Sequence, residues 1–439
     1  MLNLLTQDTR EPFAARTAVI DGDSLSSSQI WSSSSTNLER RATGYWTHAA
    51  AQLFQIFSLR YAQGYGNGGD KIANILSGQS TVISYIEANN IDAVFLHLGT
   101  NDVEDTSRTI AALKADYSTL ISNYVDASNA PYVFVGLPFP RGDWEGASEG
   151  TRANYVQRLH DIRGDIKELV KETLVNPRLI LWDAWDDIVD TSVTNSTNGL
   201  TYFPKTGYMN NDGVHLLSPA AHWAGKRCAE SVKQTPLWNS PTALPDNTGL
   251  INTATYGLTG TGGSKDTGVS GDVADGCRVD VAAGSPTAVC SKETINIFGI
   301  TTECQKIVIS GDSVDNEEIY FYLDYPEKTG ASYSFDGTKG IECVIPIKIT
   351  DIVQMNGIYM YCRVQISSNY ITKDMAVVSA DTCSTDDAPY EWLLRTEPLI
   401  TPSGNPTRQQ MILRMEVDGS VENAGATIYI GKPFYRQSA

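Results

Sequence analysis

The chain has 439 residues, 41% apolar and 19% charged, a balance that suits globular protein and argues against extended disorder. Its formal net charge of −18 disfavours nucleic acid and anionic membrane as partners, and no apolar run reaches the length of a membrane-spanning helix. Length suggests two domains, and the opening "MLNLLTQDTREPFAAR" lacks the basic start and apolar length of a signal peptide.

Up to about residue 235, short apolar runs alternate with longer amphipathic ones. "RTAVI", "DAVFLHLG", "YVFVGLP" and "RLILWDA" are too short for helices and rich in β-branched and aromatic residues. Between them, "GYWTHAAAQLFQIFSL", "TIAALKADYSTLISNYVDA" and "TRANYVQRLHDIRGDIKELVKETL" carry apolar residues at helical spacing. The alternation predicts an α/β domain over residues 1–235, a three-layer, doubly wound parallel sheet covered on both faces. Ligands of such sheets bind beyond the carboxyl ends of the strands.

Residues 236–249, with "SPTALPDNTG", read as a linker because prolines and turn formers interrupt the pattern. After the Gly/Thr/Ser-rich passage "GLTGTGGSKDTGVSG" the period changes to two. "EEIYFYLDY", "IECVIPIKI", "GIYMYCRVQI", "QQMILRMEV" and "ATIYIGKPF" read as strands, predicting an all-β sandwich of jelly-roll type over residues 250–439. Six of the seven cysteines (Cys277, Cys290, Cys304, Cys343, Cys362 and Cys383) fall in this half, and Cys228 stands apart. Disulfides and reduced buried thiols are both open to them, and no spacing resembles a zinc site.

Gly-Asp-Ser occurs twice, at Ser24 and at Ser313. A serine hydroxyl needs a base to take its proton, a group to orient that base, and donors for the oxyanion. All five histidines (His48, His97, His160, His215 and His222) precede residue 223, so Ser313 has none in its domain and reads as a hairpin tip. Ser24 follows the first predicted strand, and the Asn101 amide in "GTND" ends another on the same sheet edge. In "DGVH", Asp212 stands three residues before His215, so its carboxylate can accept from one ring nitrogen while the other faces a serine. Gly69 in "GGDK" sits at a loop-to-helix junction, where a backbone N–H can face an anion.

In this order, "GDSLS", the glycine of "GGDK", "GTND" and "DGVH" resemble the hallmark blocks of the SGNH (GDSL) hydrolase family, over residues 15–235. The resemblance implies that Ser24 is the nucleophile and that His215 and Asp212 complete a triad. It also implies an oxyanion hole built from the Ser24 N–H, the Gly69 N–H and the Asn101 side chain, with no metal or organic cofactor. Among the crowded glycines Gly64, Gly66, Gly68 and Gly69, the last is chosen because it directly precedes Asp70 and the helix. Asp21 stands where the family usually has an apolar residue.

Three other patterns read as decoys. "GASEG" matches the nucleophile-elbow motif at Ser148, but "PRGDWE" separates it from any strand. Gly64, Gly66 and Gly69 spell a dinucleotide fingerprint with Glu87 about 20 residues on, yet no strand leads into it. His48, His97, His160 and His222 read as structural.

The family includes lipases, thioesterases and carbohydrate O-acetylesterases. No apolar lid or amphipathic membrane segment is visible, and a sandwich appended to a hydrolase resembles a carbohydrate-binding module whose tyrosines and Trp392 could stack on sugars. The expectation is therefore an esterase that removes O-acetyl groups from a polysaccharide such as capsule or O-antigen, with that glycan as its partner and no nucleic acid or membrane. A lipid or aryl esterase and a non-catalytic glycan-binding tail module are the alternatives. The tail also resembles phage tail proteins, so a virion component, trimeric in that case, and a secreted esterase both stand as locations.

Overall fold

The computed structural model describes residues 16–27, 38–41, 44–53, 56–58, 64–172, 176–238, 258–297, 299–312, 317–328, 340–366, 369–383, 390–395, 399–400, 404 and 408–437. The chain divides into two compact units, Met1–Ile30 with Thr43–Ser240, and Trp31–Ala42 with Pro241–Ala439. Among the described residues no helix is long and apolar enough to cross a membrane.

The elements before residue 240 run β1 (Arg16–Gly22), α1 (Ser24–Ser27), β2 (Leu38–Arg41), α2 (Tyr45–Gln52), β3 (Phe57–Ser58), α3 (Ile72–Ala88) and β4 (Ala93–His97). There follow α4 (Ile110–Val125), β5 (Tyr132–Gly136), α5 (Glu149–Glu172), β6 (Leu179–Trp182), α6 (Trp185–Ile188) and α7 (Ser218–Lys233). Five strands form a parallel sheet in the order β3-β1-β4-β5-β6. Every residue of β4 is buried, as a central strand covered on both faces requires. On α3, Ile72, Ile75, Gln79, Val82 and Ile86 repeat at helical spacing and face this core. The first connection leads outward from β1 to β3, and the second returns past β1 to β4. The winding thus reverses between β1 and β4, and a crevice opens at the carboxyl ends of strands at such a point.

The predicted helix over 44–59 stops early. The chain turns at Leu53, and Phe57–Ser58 pairs with Arg16 and Thr17 as an edge strand. Ile56 and Phe57 are better spent covering the open edge of β1 than continuing the helix. Residues 31–42 depart from the reading of 1–235 as one domain: β2 leaves the first unit and joins a sheet of the second, in parallel with Met375–Val378. Nothing local in "LERR" announces a partner more than 300 residues away.

In the second unit the strands are β7 (Gly262–Lys265), β8 (Val269–Gly271), β9 (Val273–Ala283), β10 (Thr287–Ile297), β11 (Ile300–Ser310), β12 (Glu317–Lys328) and β13 (Gly340–Val353). β14 (Met355–Ile366), β15 (Asn369–Cys383), β16 (Tyr390–Arg395), β17 (Leu399–Ile400), β18 (Arg408–Val417), β19 (Gly425–Gly431) and β20 (Phe434–Gln437) complete it. One sheet runs β16-β13-β19-β11-β10-β8, with β17 and β20 also on β13, and the other runs β2-β15-β14-β18-β12-β9-β7. All five predicted strand segments lie within β12, β13, β14, β18, β19 and β20. The Gly/Thr/Ser-rich passage is not a bare entry loop, since it supplies β7 and β8. Cys277, Cys290 and Cys304 are reduced and buried, as is Cys228, and burial pushes the Cys290 thiol up to about 11. The side chains of Cys343, Cys362, Cys383 and Trp392, and all of Ser313, lie outside the described residues.

Alternation sorts β12 and most of β14, and β18 only in part, since Gln410, Ile412 and Glu416 are buried although they share the parity of Arg414. Ile319, Phe321, Ile358, Met360, Leu413 and Met415 are buried, while Tyr320, Tyr322, Tyr359, Tyr361 and Arg414 are half-exposed on the other face. Tyr320 stands opposite Arg414, and Arg414 opposite Tyr359. The guanidinium lies 4.6 Å from the centre of the Tyr359 ring, and it donates to Glu318 at 2.6 Å and to the Tyr361 hydroxyl at 3.3 Å. These four tyrosines form an aromatic and polar lattice around Arg414.

In the first unit, α7 lies against α2 at Gly225. A methyl there would come within 2.5 Å of the Tyr45 carbonyl oxygen, 2.6 Å of His48 Cβ and 2.7 Å of the Ala49 nitrogen, none of which can rotate away. Gly225→Ala gains about 1 kcal/mol of helix propensity, but overpacking costs ~1–3 kcal/mol. The variant should be less stable than the wild type in urea denaturation of the full chain. A gain in stability would mean that the helices separate freely.

Candidate active site

Ser24 opens α1, two residues beyond β1, and is half-exposed. Gly22 makes the exit possible: its φ is +140°, and a Cβ there would lie 2.3 Å from the His97 carbonyl oxygen. Asp23 is buried and accepts the Leu25 N–H at 2.9 Å, so the tripeptide builds its own turn. His97 Nδ1 lies 3.9 Å from Asp23 Oδ1, and its Nε2 bonds the Leu137 carbonyl at 3.0 Å. Asp21, polar where an apolar residue is usual, accepts the Gly22 N–H at 2.8 Å and the Tyr124 hydroxyl. Burial pushes the Asp21 carboxyl up to about 6, although both hydrogen bonds oppose the shift.

The glycine-rich loop runs beside the end of β1. Tyr65 N–H donates to the Ile20 carbonyl at 2.8 Å, and Asn67 N–H to the Gly22 carbonyl at 3.2 Å. Gly69 follows at a φ of +80°, which favours glycine. From beyond β4, the Asn101 amide donates to the Asp70 carbonyl at 2.9 Å. The next side chain, Asp102, accepts the Ile72 N–H at the start of α3, with each oxygen 3.2 Å away.

Asp212 and His215 form the third part. Asp212 Oδ1 accepts the Val214 and His215 backbone N–H groups at 2.9 and 3.0 Å, while Oδ2 lies 2.7 Å from His215 Nδ1. Burial alone would raise the Asp212 carboxyl, but these bonds outweigh it and hold it below the usual range. One carboxylate thus shapes the turn and orients the imidazole. Gly213 has a φ of +68°, and a Cβ would come 2.4 Å from the Asp143 nitrogen, so the turn presses on the loop after β5. Gly142 N–H donates to the Gly213 carbonyl at 2.8 Å, and Arg141 Nη1 donates to the Thr100 carbonyl at 2.6 Å. Backbone and side-chain bonds therefore link the loops that carry Ser24, Gly69, Asn101 and His215 to their neighbours at the carboxyl ends of the strands. In the third part, Asp212 and His215 form an oriented carboxylate–imidazole pair.

The decoys find other work. Ser148 is exposed and caps α5, with its Oγ 2.9 Å from the Thr151 hydroxyl. The Glu87 carboxylate receives the Ser128 N–H at 2.9 Å rather than facing the glycines. His160 bonds the Thr201 carbonyl at 2.7 Å, and His48 and His222 meet ring to ring inside the α2–α7 contact. Among the described residues, no group of three or more His, Cys, Asp or Glu gathers as for a metal.

Sequence reasoning missed the arginines. Arg141, Arg158 and Arg163 are buried. Arg158 donates to the carbonyls of Asp102, Val103, Asp105 and Arg108, and Arg163 to Pro138 and Asp183. "PRGDWE", read only as the segment that separates Ser148 from a strand, carries Arg141, which also pairs with Glu104 and Asp143 and lies 4.9 Å from the Trp144 ring centre. An arginine in a loop gives no local sign of the carbonyls it will meet.

No family model matches the sequence, and no curated protein matches it. Solved structures that it resembles include a GDSL-like lipase from Bacteroides thetaiotaomicron, at 15% identity and a TM-score of 0.35, covering 50% of this chain and 88% of that one. A carbohydrate esterase family 3 protein from Talaromyces cellulolyticus has 15% identity and a TM-score of 0.34, over 51% of this chain and 100% of that one. A carbohydrate acetylesterase from Sinorhizobium meliloti has 19% identity and a TM-score of 0.34, over 50% and 99%. These are likenesses of fold, and the chemistry of the site stands on its own geometry.

Arg141 is 7% exposed as a side chain, and its partner Glu104 is 44% exposed. Breaking a buried ion pair costs ~3–5 kcal/mol, so solvent at Glu104 should reduce the cost of Arg141→Met to about 2–3 kcal/mol. Urea denaturation measures it. A change below about 0.5 kcal/mol, the size of an ordinary surface substitution, would mean that Arg141 does not brace the edge.

Proposed function

We propose that the first unit is a serine esterase acting on O-acetyl groups of a polysaccharide, in the manner of SGNH hydrolases. Ser24 Oγ attacks the acetyl carbonyl while His215 Nε2 takes its proton, and Asp212 keeps the Nδ1–H tautomer in place. The oxyanion accepts the Ser24 N–H, the Gly69 N–H and an Asn101 amide N–H. The sugar hydroxyl leaves with the proton held by His215. Water then repeats the sequence on the acetyl-enzyme, releasing acetate and restoring Ser24.

The observation that carries this reading is the Asp212–His215 pair at 2.7 Å, on a turn bonded into the edge that holds Ser24 and Asn101. For a glycan substrate the support comes from the second unit. Flat tyrosine faces stack on sugar rings, and interleaved carboxylate and guanidinium groups bond hydroxyls. Arg414 pairs with both Glu318 and Glu416 and leaves the cluster one negative charge, so the lattice suits a neutral polymer better than a polyanion. The substrate is then a surface polysaccharide met outside the cell, by a secreted enzyme or by a homo-oligomeric virion tail.

Four measurements test the reading. Ser24→Ala should abolish acetate release from acetylated polysaccharides, and a serine-directed phosphonate should label Ser24 alone. Label on Ser148 or Ser313, or a preference for long-chain lipid esters, would overturn it. Asn101→Ala should lower kcat about 100- to 1,000-fold with KM nearly unchanged. Asp212→Ala should keep partial activity that recovers as pH rises and neutral imidazole dominates. In affinity electrophoresis, Tyr320→Ala combined with Tyr322→Ala should weaken retention on the polymer. Unchanged retention would remove the tyrosine lattice from substrate binding.

A further inference from the structure

Asp102 belongs to none of the roles assigned above, yet it is 1% exposed and stands next to Asn101. Its two oxygens share the Ile72 N–H, the first of α3, and Oδ2 also accepts the Tyr117 hydroxyl at 3.0 Å. Lys71 N–H is taken by Asn74 Oδ1 at 3.2 Å, so the helix start is satisfied from both sides. Behind Asp102, Arg158 holds its carbonyl at 3.1 Å and that of Val103 at 2.9 Å. Asn101 grips residue 70 and Asp102 grips residue 72. Two consecutive side chains from one loop thereby fix the peptide units that follow Gly69.

We propose that Asp102 is the positioning residue of the oxyanion hole: by clamping the start of α3 it sets the Gly69 N–H and the Asn101 amide on one point. The proposal rests on the reading of Gly69 and Asn101 as oxyanion donors. A buried carboxylate costs desolvation that an apolar side chain of similar size avoids, so packing alone would favour leucine here. The acid is placed where a helix N-terminus must be held at a fixed distance from a second donor. A donor displaced by about 1 Å can lose on the order of 100-fold in rate. Asp102 touches no reacting atom, and its effect passes through Gly69 and Asn101.

The test is a double-mutant cycle in the full chain on a small acetyl ester, with thermal melts to establish folding. Asp102→Leu should lower kcat about 10- to 100-fold with KM within about twofold, because alignment and not ground-state binding is lost. Asp102→Asn keeps one acceptor oxygen and should fall between Asp102→Leu and the wild type. In the Asn101→Ala background, Asp102→Leu should cost several-fold less than in the wild type, since only its effect through Gly69 remains and residues that act as a unit are not additive. Equal losses in both backgrounds, or a raised KM with kcat retained, would overturn the role of Asp102 alone. If Asn101→Ala by itself leaves kcat intact, the oxyanion reading fails and the proposal falls with it. Should Asp102→Leu not fold, Tyr117→Phe removes one of the bonds to the carboxylate and enters the same cycle, with a several-fold loss expected in the wild-type background only.

Discussion

A parallel sheet buried on both faces ends in backbone groups that have few partners of their own, and buried N–H and C=O groups must be paired. In the first unit that constraint governs everything near Ser24. Carboxylates answer the donors: Asp21 takes the Gly22 N–H, Asp23 that of Leu25, Asp102 that of Ile72, and Asp212 those of Val214 and His215. Guanidiniums answer the acceptors, with Arg141 on Thr100, Arg158 on the turn after β4, and Arg163 on Pro138. The loops beyond the strands are therefore fixed by charged side chains, buried except for Asp212, as much as by packing. Fixed loops are what a site built from four separate segments needs.

How much of this was legible in the sequence depended on how far each signal had to reach. The strands around Val19, Val94, Val133 and Leu181 declared themselves because a doubly buried strand is apolar at nearly every position. Gly22, Gly213 and the Asp212–His215 pair were legible because their turns close on themselves within a few residues. Arg141, Arg158 and Arg163 were not, since, Asp143 beside Arg141 apart, their hydrogen-bond partners lie 20 to 56 residues away. The edge strands failed for a related reason. Phe57–Ser58 is too short to outvote a helical period, and Leu38–Arg41 is polar and pairs with Met375–Val378. In the Gly/Thr/Ser-rich passage, turn-forming composition concealed β7 and β8, which are strands only because β9 and β10 lie beside them.

The second unit separates a packed face from a polar, aromatic one by the simplest device a sheet offers. A period of two sends Ile319, Phe321, Met360 and Leu413 inward and leaves the tyrosines and Arg414 on the opposite face. Burial of the aliphatic set supplies the folding energy, so the other face is open to selection for binding. Ion pairs across Glu318, Arg414 and Glu416 then hold the rings in place before any ligand arrives. A preformed surface spares the entropy of ordering side chains on contact, an advantage that the proposed glycan binding would draw on.

The carboxylates that hold the loops of the candidate site do so at a cost that depends on pH. Burial, against the pull of their hydrogen bonds, pushes Asp21 and Asp102 each up to about 6. An unfolded aspartate titrates near ~3.9, so between about pH 4 and pH 6 the folded state holds more protons than the unfolded one. Stability from these two groups is therefore greatest below pH 4, declines as pH rises to about 6, and is level above that. The full shift corresponds to about 3 kcal/mol for each group, a sizeable share of a typical domain's stability. Yet only the ionised carboxylate presents both oxygens as acceptors to Ile72 and Tyr117, or to Gly22 and Tyr124. Around neutral pH the chain accepts a less stable fold in exchange for fully bonded loop ends. That is the balance expected where geometry at a site outweighs stability.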